Sequence, residues 1–121
     1  MKILLIDDDA FLRDMYATKF SEKGYTIESA ENADIALSML HENTYDVVLA
    51  DSVMPGMTGT ELLARIQKDK LAGSPVCIML SNQSEEEDKK AALAAGAVGY
   101  LVKAELIPSE VVAEVLKLVS K

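Results

Sequence analysis

Carboxylate side chains follow two short apolar segments of the sequence. Residues 3–6 are followed directly by Asp7 and Asp8, and residues 47–50 are followed by Asp51. Short apolar runs of this kind are typical of strands that are covered on both faces in a parallel sheet. In open parallel sheets, ligands bind outside the carboxyl ends of the strands. A lone aspartate there could simply end a strand, so the rest of the chain decides whether Asp51 does chemistry.

Two later apolar segments also end in polar side chains. Residues 76–80 are followed by Ser81, and residues 99–102 are followed by Lys103. If all four segments are parallel strands, their carboxyl ends lie along one edge of a sheet. We therefore expect five side chains to converge there: Asp7, Asp8, Asp51, Ser81 and Lys103.

This set of side chains suits a divalent cation and a phosphoryl group. Carboxylates that lie close together repel one another, which strains the site or raises pKa values unless a cation lies among them. Mg²⁺ prefers oxygen ligands, so Asp51 with one or both of the amino-terminal acids fits Mg²⁺ better than zinc. A carboxylate is also a nucleophile that can form an aspartyl-phosphate. Lys103 and Ser81 would then supply a positive charge and a hydroxyl donor for phosphoryl oxygens.

Composition excludes several classes of protein. The 121 residues suffice for one globular domain, and no apolar run is long enough to span a membrane. The net charge of -8 argues against direct nucleic-acid binding. The single cysteine, Cys77, lies inside an apolar segment, which indicates a core thiol and a reducing compartment. We expect a cytoplasmic protein with one domain over residues 1–121.

Strand and helix patterns alternate five times along the chain. The alternation predicts an α/β fold with a doubly wound, five-stranded parallel sheet of order 2-1-3-4-5, the flavodoxin-like (βα)5 architecture. The second strand, residues 25–30, is expected toward an edge. The first helix is expected to bury residues at helical spacing: Phe11, Leu12, Met15, Tyr16 and Phe20.

Capping residues mark the predicted helix boundaries. Ser, Thr, Asp and Asn satisfy free backbone N–H groups at helix starts, and glycine is frequent just after helix ends. The predicted starts are Asp9, Asn32, a Thr58–Glu61 capping box, a Ser84–Glu87 capping box and Pro108, with ends at Gly24 and Gly96. His41 has no neighbouring base or metal ligand in this pattern, so we expect it at the surface.

Several motifs, in this order and at these spacings, carry a resemblance to a known family. They are IDDD at residues 6–9, Asp51 followed by MPGMTG at residues 54–59, IMLS at residues 78–81, and AGAVGYLVK at residues 95–103. The sequence closely resembles the receiver domains of bacterial two-component response regulators, and the resemblance covers essentially the whole chain.

The resemblance implies a role for each residue of the site. Asp51 would be the phosphoacceptor, and Mg²⁺ would be held by Asp7, Asp8, Asp51 and the carbonyl of Val53. Ser81 stands at the family's Ser or Thr position, and Lys103 at its lysine. Tyr100 stands at the aromatic position whose rotamer couples to that hydroxyl. A half-buried strand tyrosine is equally expected there.

The implied mechanism is a phosphorylation switch. A sensor histidine kinase or histidine phosphotransfer protein would donate the phosphoryl group to Asp51. The face formed by the fourth helix, fifth strand and fifth helix would then change its partners. The resemblance implies a binding module, a monomer or a weak dimer on phosphorylation, that catalyses only its own phosphorylation and slow dephosphorylation. Its target is either a separate downstream protein or a fused output domain, and the sequence leaves both open.

Four positions depart from the family pattern or adjust it. Ala104 replaces the usual proline after Lys103, so we expect either a trans bond or a strained loop there. Asn82 replaces a small residue beside Ser81. Val53 and Gln83 stand where hydrolysis is tuned, and an apolar Val53 cannot orient water. We therefore expect a relatively long-lived phosphoryl group.

Other functions fit the sequence less well. A Mg²⁺-dependent phosphohydrolase of the haloacid-dehalogenase pattern needs a second aspartate where this chain has Val53. A flavin carrier needs a phosphate-binding loop where this chain has aspartates, which would repel phosphate. A pseudo-receiver that acts without phosphorylation is the alternative that stays open, because Asn82 and Ala104 are unusual.

Overall fold

Five strands form one parallel sheet in the order β2-β1-β3-β4-β5. The computed structural model describes residues 1–82 and 84–120. The strands are β1 (Lys2–Ile6), β2 (Thr26–Ala30), β3 (Val47–Asp51), β4 (Val76–Ser81) and β5 (Ala97–Val102). The predicted fold class and strand order are confirmed, with β2 at one edge.

Five α-helices alternate with these strands. They are α1 (Ala10–Glu22), α2 (Ala33–Glu42), α3 (Gly59–Asp69), α4 (Glu86–Ala94) and α5 (Pro108–Val119). Short 3-10 turns, Leu71–Gly73 and Lys103–Glu105, precede β4 and follow β5. Across residues 1–82 and 84–120, none of these helices has the length and apolar character to cross a membrane.

The helices cover both faces of the sheet and bury two separate cores. Neighbouring residues of β3 face opposite cores, since side chains alternate along a strand. Val47 and Leu49 pack with α1 and α5, whereas Val48 and Ala50 pack with α2, α3 and α4. The first core includes Tyr16, Phe20, Val111, Val112 and Val115, and the second includes Ala36, Leu40, Leu62, Leu63, Ile66 and Ala92.

Most predicted caps are present. The Asp9 carboxylate accepts the N–H of Leu12 at 3.1 Å, and the Asn32 side chain accepts that of Ile35 at 2.9 Å. The capping box at the start of α3 is complete, and Pro108 is the first residue of α5. His41 is exposed, as predicted.

The predicted capping box at Ser84 is wrong. Helix α4 begins at Glu86 with Glu85 as N-cap, and within the described part of the chain no side chain caps it. Three acids instead occupy its first turn, where the helix dipole favours negative charge. Those acids replace the cap that the local pattern predicted.

Two further details differ from the sequence-based expectation. Phe11 is 73% exposed because it lies about 140° around the helix from the buried Tyr16. Strand β5 begins at Ala97 rather than at residue 99, because Ala97 pairs with Cys77. The register then shifts by one residue, which leaves Val98 outside the core at 49% exposure.

The segment between α3 and β4 contains strained backbone. Lys70, Ala72 and Ser74 have φ values of 50°, 54° and 59°, in the left-handed region that non-glycine residues avoid. The Ala72 carbonyl in this segment accepts the N–H of Tyr45 at 3.0 Å. The strained backbone therefore joins the segment before β3 to the segment before β4.

We expect Lys70→Gly to stabilise the fold by about 0.5 to 1 kcal/mol, because glycine adopts a left-handed helix C-cap without steric cost. The Lys70 side chain is exposed, and its backbone N–H to the Ile66 carbonyl is retained. Ala64→Gly in the exposed middle of α3 is the matched control and should cost about 1 kcal/mol. Urea denaturation measures both, and a loss of stability in Lys70→Gly would contradict the expectation.

Candidate functional site

The end of β3 is held by a close backbone contact with the start of α3. The Gly59 N–H donates to the Ser52 carbonyl at 2.9 Å. A Cβ atom on Gly59 would overlap the Asp51 carbonyl oxygen and would meet Met79 Sδ at 2.8 Å. Only glycine fits this approach, and it fixes the backbone that carries the Asp51 side chain. Asp51 itself is the last residue of the strand and is 6% exposed.

Asp7, Asp8 and Asp51 come together as predicted. One carboxylate oxygen from each lies within 4.8 Å of the others. Asp7 is buried and its Oδ1 accepts the N–H of Asp9 at 2.9 Å, which orients it, whereas Asp8 is exposed. A cluster of hard oxygen donors with one member facing solvent fits a divalent cation that keeps part of its water shell. Among the described residues the arrangement therefore fits Mg²⁺ as a ligand.

Lys103 lies in the same site. Its Nζ is 2.8 Å from Asp7 Oδ2 and 3.4 Å from Asp51 Oδ2, and its side chain is 6% exposed. The ammonium group thus bridges two buried carboxylates, one directly after β1 and one at the end of β3. This is the placement that the ends of β1, β3 and β5 predict.

Burial and charge shift the ionisation of the site. Burial raises the pKa of Asp51 from its ordinary value of 3.8 to about 6, with Lys103 opposing and Asp7 adding to the rise. Burial lowers the pKa of Lys103, but the hydrogen bond to Asp7 and the charges of both carboxylates outweigh it, so its pKa is raised. The predicted raised pKa is thus found for Asp51. Near neutral pH, Asp51 is mostly ionised and Lys103 is charged.

The remaining predicted residues surround this cluster. Ser81 is fully buried, and its Oγ lies 2.5 Å from Ser52 Oγ. Val53 is 59% exposed, and its N–H donates to Asp51 Oδ1 at 3.5 Å. Asn82 is exposed and lines the cavity of about 330 Å³ beside Asp51.

Tyr100 lies next to a second cavity rather than in the carboxylate cavity. The ring is half-buried against the core of α2, α3 and α4. The second cavity, of about 260 Å³, is lined by Ser52, Val53, Thr58, Thr60, Asp88, Ala91 and Tyr100. Ser52 and Val53 line both cavities and so lie between Tyr100 and the carboxylates.

Ser52 is a neighbour of the site that was not predicted. Asp51 pairs with Leu80 in the parallel register, so the next residues along, Ser52 and Ser81, are adjacent. The expected pairing of β3 with β4 predicts that Ser52 neighbours Ser81 only once the register of the two strands is known. A serine directly after Asp51 does not by itself indicate a place in the site.

The positions that depart from the family pattern can be placed in part. The Lys103–Ala104 bond is trans, which confirms one of the two predicted outcomes. Lys103–Glu105 forms a 3-10 turn in which the Leu106 N–H donates to the Lys103 carbonyl at 3.4 Å. Gln83 lies outside the described residues.

Comparison with known proteins agrees with the geometry of the site. A family model described as the response regulator receiver domain matches residues 3–115. The chain belongs to this family. The receiver domain match includes the carboxyl ends of β1, β3, β4 and β5, and with them all the residues predicted to form the site.

Named relatives give the same result. The phosphate regulon transcriptional regulatory protein PhoB of Pseudomonas aeruginosa is 36% identical over 111 residues, which are 92% of this chain and 48% of PhoB. The structure of a receiver domain from a Francisella response regulator is 31% identical, with a TM-score of 0.88 and coverage of 98% of this chain and 96% of that one. The response regulator TrrA of Thermotoga maritima, solved in complex with Mg²⁺-BeF, is 32% identical, with a TM-score of 0.83 and coverage of 97% of both chains.

The chain spans about half the length of PhoB. In the structural comparison it covers 96% of the Francisella receiver domain. The similarity therefore concerns the receiver domain.

We expect Asp51→Asn to stabilise the metal-free receiver domain by about 1 to 3 kcal/mol near pH 7.5, because it removes a buried charge whose pKa is raised to about 6. In the wild type, the folded state binds more protons than the unfolded state between about pH 4 and 6. Its stability therefore falls as the pH rises through this window.

The difference between the two proteins should shrink as the pH falls from 7.5 through about 6 toward 4. Urea denaturation in buffer with a chelator, at several pH values, measures it. Asp14→Asn on the exposed face of α1 is the control for loss of one carboxylate. A difference that does not change with pH would contradict the expectation.

Proposed function

We propose that this receiver domain is a phosphorylation-dependent signalling switch that accepts a phosphoryl group on Asp51 in the presence of Mg²⁺. A sensor histidine kinase or a histidine phosphotransfer protein is the proposed donor. The observation that carries the proposal is the buried contact of Lys103 Nζ with both Asp7 and Asp51, beside a set of carboxylate oxygens within 4.8 Å of one another. Burying these charges costs free energy, and a bound cation would offset part of that cost.

Asp7, Asp8 and Asp51 would hold Mg²⁺ through their carboxylates, together with the carbonyl of Val53. The ion, when bound, neutralises carboxylate charge and polarises a phosphoryl oxygen. The complex of the similar protein TrrA with Mg²⁺-BeF supports this assignment, since beryllium fluoride is a tetrahedral anion like a phosphoryl group. The mixture of one exposed and two buried carboxylates also supports it, because Mg²⁺ usually keeps several waters.

In the transfer step, a carboxylate oxygen of Asp51 attacks the phosphorus of a phosphohistidine. The new O–P bond forms as the P–N bond breaks, and the electron pair returns to the imidazole nitrogen, which takes up a proton. Asp51 must be ionised to attack, and a pKa of about 6 leaves it mostly ionised at neutral pH. Lys103, 3.4 Å from Asp51 Oδ2, is placed to neutralise charge on the phosphoryl oxygens.

After transfer, Ser81 and Lys103 would follow the new negative charge. Tyr100 would turn inward, and the face formed by α4, β5 and α5 would change its partners. The cavity of about 260 Å³ beside Tyr100 supports this step, because it offers space next to the ring. A two-state switch needs a bias of only a few kcal/mol, which new charge-assisted hydrogen bonds can supply.

The proposed output is binding rather than catalysis. The domain would catalyse only its own phosphorylation and slow dephosphorylation. It would act on a downstream protein or a fused output domain as a monomer or a weak dimer on phosphorylation. The similar protein PhoB is a transcriptional regulatory protein about twice as long as this chain, which supports a fused output domain.

Charge and cysteine content bear on the partners and the location of the domain. The net charge of -8 argues against direct nucleic-acid binding by this domain, and the buried Cys77 supports a cytoplasmic location.

Incubation with Mg²⁺ and acetyl phosphate, followed by intact-mass measurement, tests the proposal. We expect the wild type to gain one phosphoryl group and Asp51→Asn to gain none. Asp14→Asn, which removes an exposed carboxylate of α1, should gain it like the wild type. Omission of Mg²⁺ with a chelator should abolish the gain.

A wild type that gains no phosphoryl group from acetyl phosphate or from a phosphohistidine donor would contradict the proposal. That result would favour the pseudo-receiver, a module that binds partners without phosphorylation. The observation in favour of this second function is Asn82, an exposed amide beside the cavity of Asp51 where the family has a small residue.

The lifetime of the phosphoryl group gives another expected outcome. The Val53 side chain is 59% exposed next to Asp51 and has no group that can orient an attacking water. We expect Val53→Asn to shorten the half-life severalfold, because an amide can hydrogen-bond water. Val53→Ala, which stays apolar, is the control and should decay slowly. Loss of phosphoryl mass after donor removal measures the decay, and equal half-lives for all three proteins would exclude this role of Val53.

A further inference from the structure

Arg13 on α1 makes a hydrogen bond back to the segment that carries two of the clustered carboxylates, Asp7 and Asp8. Its Nη1 donates to the Asp7 carbonyl at 2.8 Å, and its side chain is half-buried. Arg13 is itself held in the first turn of α1, because its backbone N–H donates to the Asp9 carbonyl at 2.9 Å. The guanidinium group therefore ties the residue that follows β1 to the start of α1.

The Asp7 carboxylate is fixed by contacts that do not involve Arg13. Its Oδ1 accepts the N–H of Asp9 at 2.9 Å, and its Oδ2 accepts a proton from Lys103 Nζ at 2.8 Å. The Asp7 backbone N–H donates to the Ala30 carbonyl at 3.1 Å. The hydrogen bond from Arg13 is thus not needed to hold the Asp7 side chain in the cluster.

Asp8 is positioned through its backbone. Its carboxylate is exposed, and within the described part of the chain no donor hydrogen-bonds it. Arg13 holds the peptide group before Asp8 through the Asp7 carbonyl. Asp7 Oδ1 holds the peptide group after Asp8 through the Asp9 N–H. Because a peptide group is planar, these two contacts together set the direction of the Asp8 Cα–Cβ bond.

We propose that Arg13 is a positioning residue for the divalent-cation site, which directs the Asp8 carboxylate toward the ion by holding the Asp7 carbonyl. This inference rests on the Mg²⁺ site of the proposed function and adds a residue that sets its affinity. Residues that orient metal ligands without touching the metal commonly affect metal affinity. Asp8 is the ligand that depends on such support, since only its backbone is fixed.

The charge of Arg13 acts in the opposite direction to its hydrogen bond. A guanidinium group near the cluster repels a divalent cation, so loss of the charge alone would tighten Mg²⁺ binding. Loss of the hydrogen bond frees the peptide group before Asp8 and would weaken Mg²⁺ binding. The direction of the change in affinity therefore separates positioning from charge.

Titration of the receiver domain with Mg²⁺, followed by backbone amide NMR signals, tests the inference. We expect Arg13→Met, which keeps a long side chain but has no donor, to raise the dissociation constant for Mg²⁺ about tenfold. Arg13→Lys keeps a charged donor of similar length and should bind nearly as tightly as the wild type, because one carbonyl needs only one donor. Lys23→Met, which removes an exposed charge at the other end of α1, is the control and should bind like the wild type.

A double variant tests whether Arg13 acts through Asp8. In an Asp8→Ala background, Arg13→Met should have no further effect on the affinity for Mg²⁺. Unchanged or tighter binding in Arg13→Met would overturn the inference. So would an effect that persists without the Asp8 carboxylate, or an equal loss of affinity in Arg13→Lys or Lys23→Met.

The coupling between the amide and α protons of Asp8 is a separate readout, which reports its φ angle in the metal-free protein. It should report one φ angle in the wild type and averaging in Arg13→Met, and a single φ angle in both would overturn the inference. A wild type that binds Mg²⁺ but accepts no phosphoryl group would overturn the proposed function and leave the inference standing. A wild type that binds no Mg²⁺ would overturn both.

Discussion

The contact of the Lys103 ammonium with the carboxylates of Asp7 and Asp51 determines how the carboxyl edge of the sheet is organised. All three side chains are nearly inaccessible to solvent. A buried charge without a partner costs several kcal/mol, and Lys103 is the partner of both carboxylates, which repel one another. Lys103 and Asp7 are 96 residues apart in the chain, and the contact therefore forms only when the whole sheet has assembled. The site and the fold depend on the same interaction.

The order of the strands explains why lysine occupies this position. Strands β3 and β4 lie between β1 and β5, so the first and last of these strands are separated by about 14 Å, three strand spacings. A cation after β5 can reach the acids after β1 only with a long, flexible side chain. The side chain must also pass the end of β4, and the small Ser81 stands there, fully buried. The strand order thus explains both the long side chain at residue 103 and the small side chain at residue 81.

Local sequence patterns made much of the fold predictable. Several features that were not predicted depend on tertiary packing and strand register. Strands β1, β3 and β4 were predicted because they are apolar on both faces, and the caps at Asp9, Asn32 and Thr58 because each satisfies its own helix. The exposure of Phe11 depends on which face of α1 packs against the sheet. The extra residue Val98 in β5 depends on the register in which β5 pairs with β4. The convergence of Asp7, Asp8, Asp51, Ser81 and Lys103 followed from parallel topology. The contact between Ser52 and Ser81 needs the register itself.

The burial that makes the site also opposes the stability of the fold. Removing Asp51 from water raises its pKa and penalises its charged form, and Asp7 adds to that penalty while Lys103 relieves it. The same loss of hydration strengthens the attraction between the carboxylate and a divalent cation, because the local dielectric is low. A polar, solvated Asp51 would destabilise the fold less but would gain less from a bound cation. In the proposed function, the metal-free domain is therefore held in a tense state that a bound cation relieves, and phosphoryl transfer then adds negative charge beside Lys103. The proposed switch would use this change in electrostatic energy to move Ser81 and Tyr100.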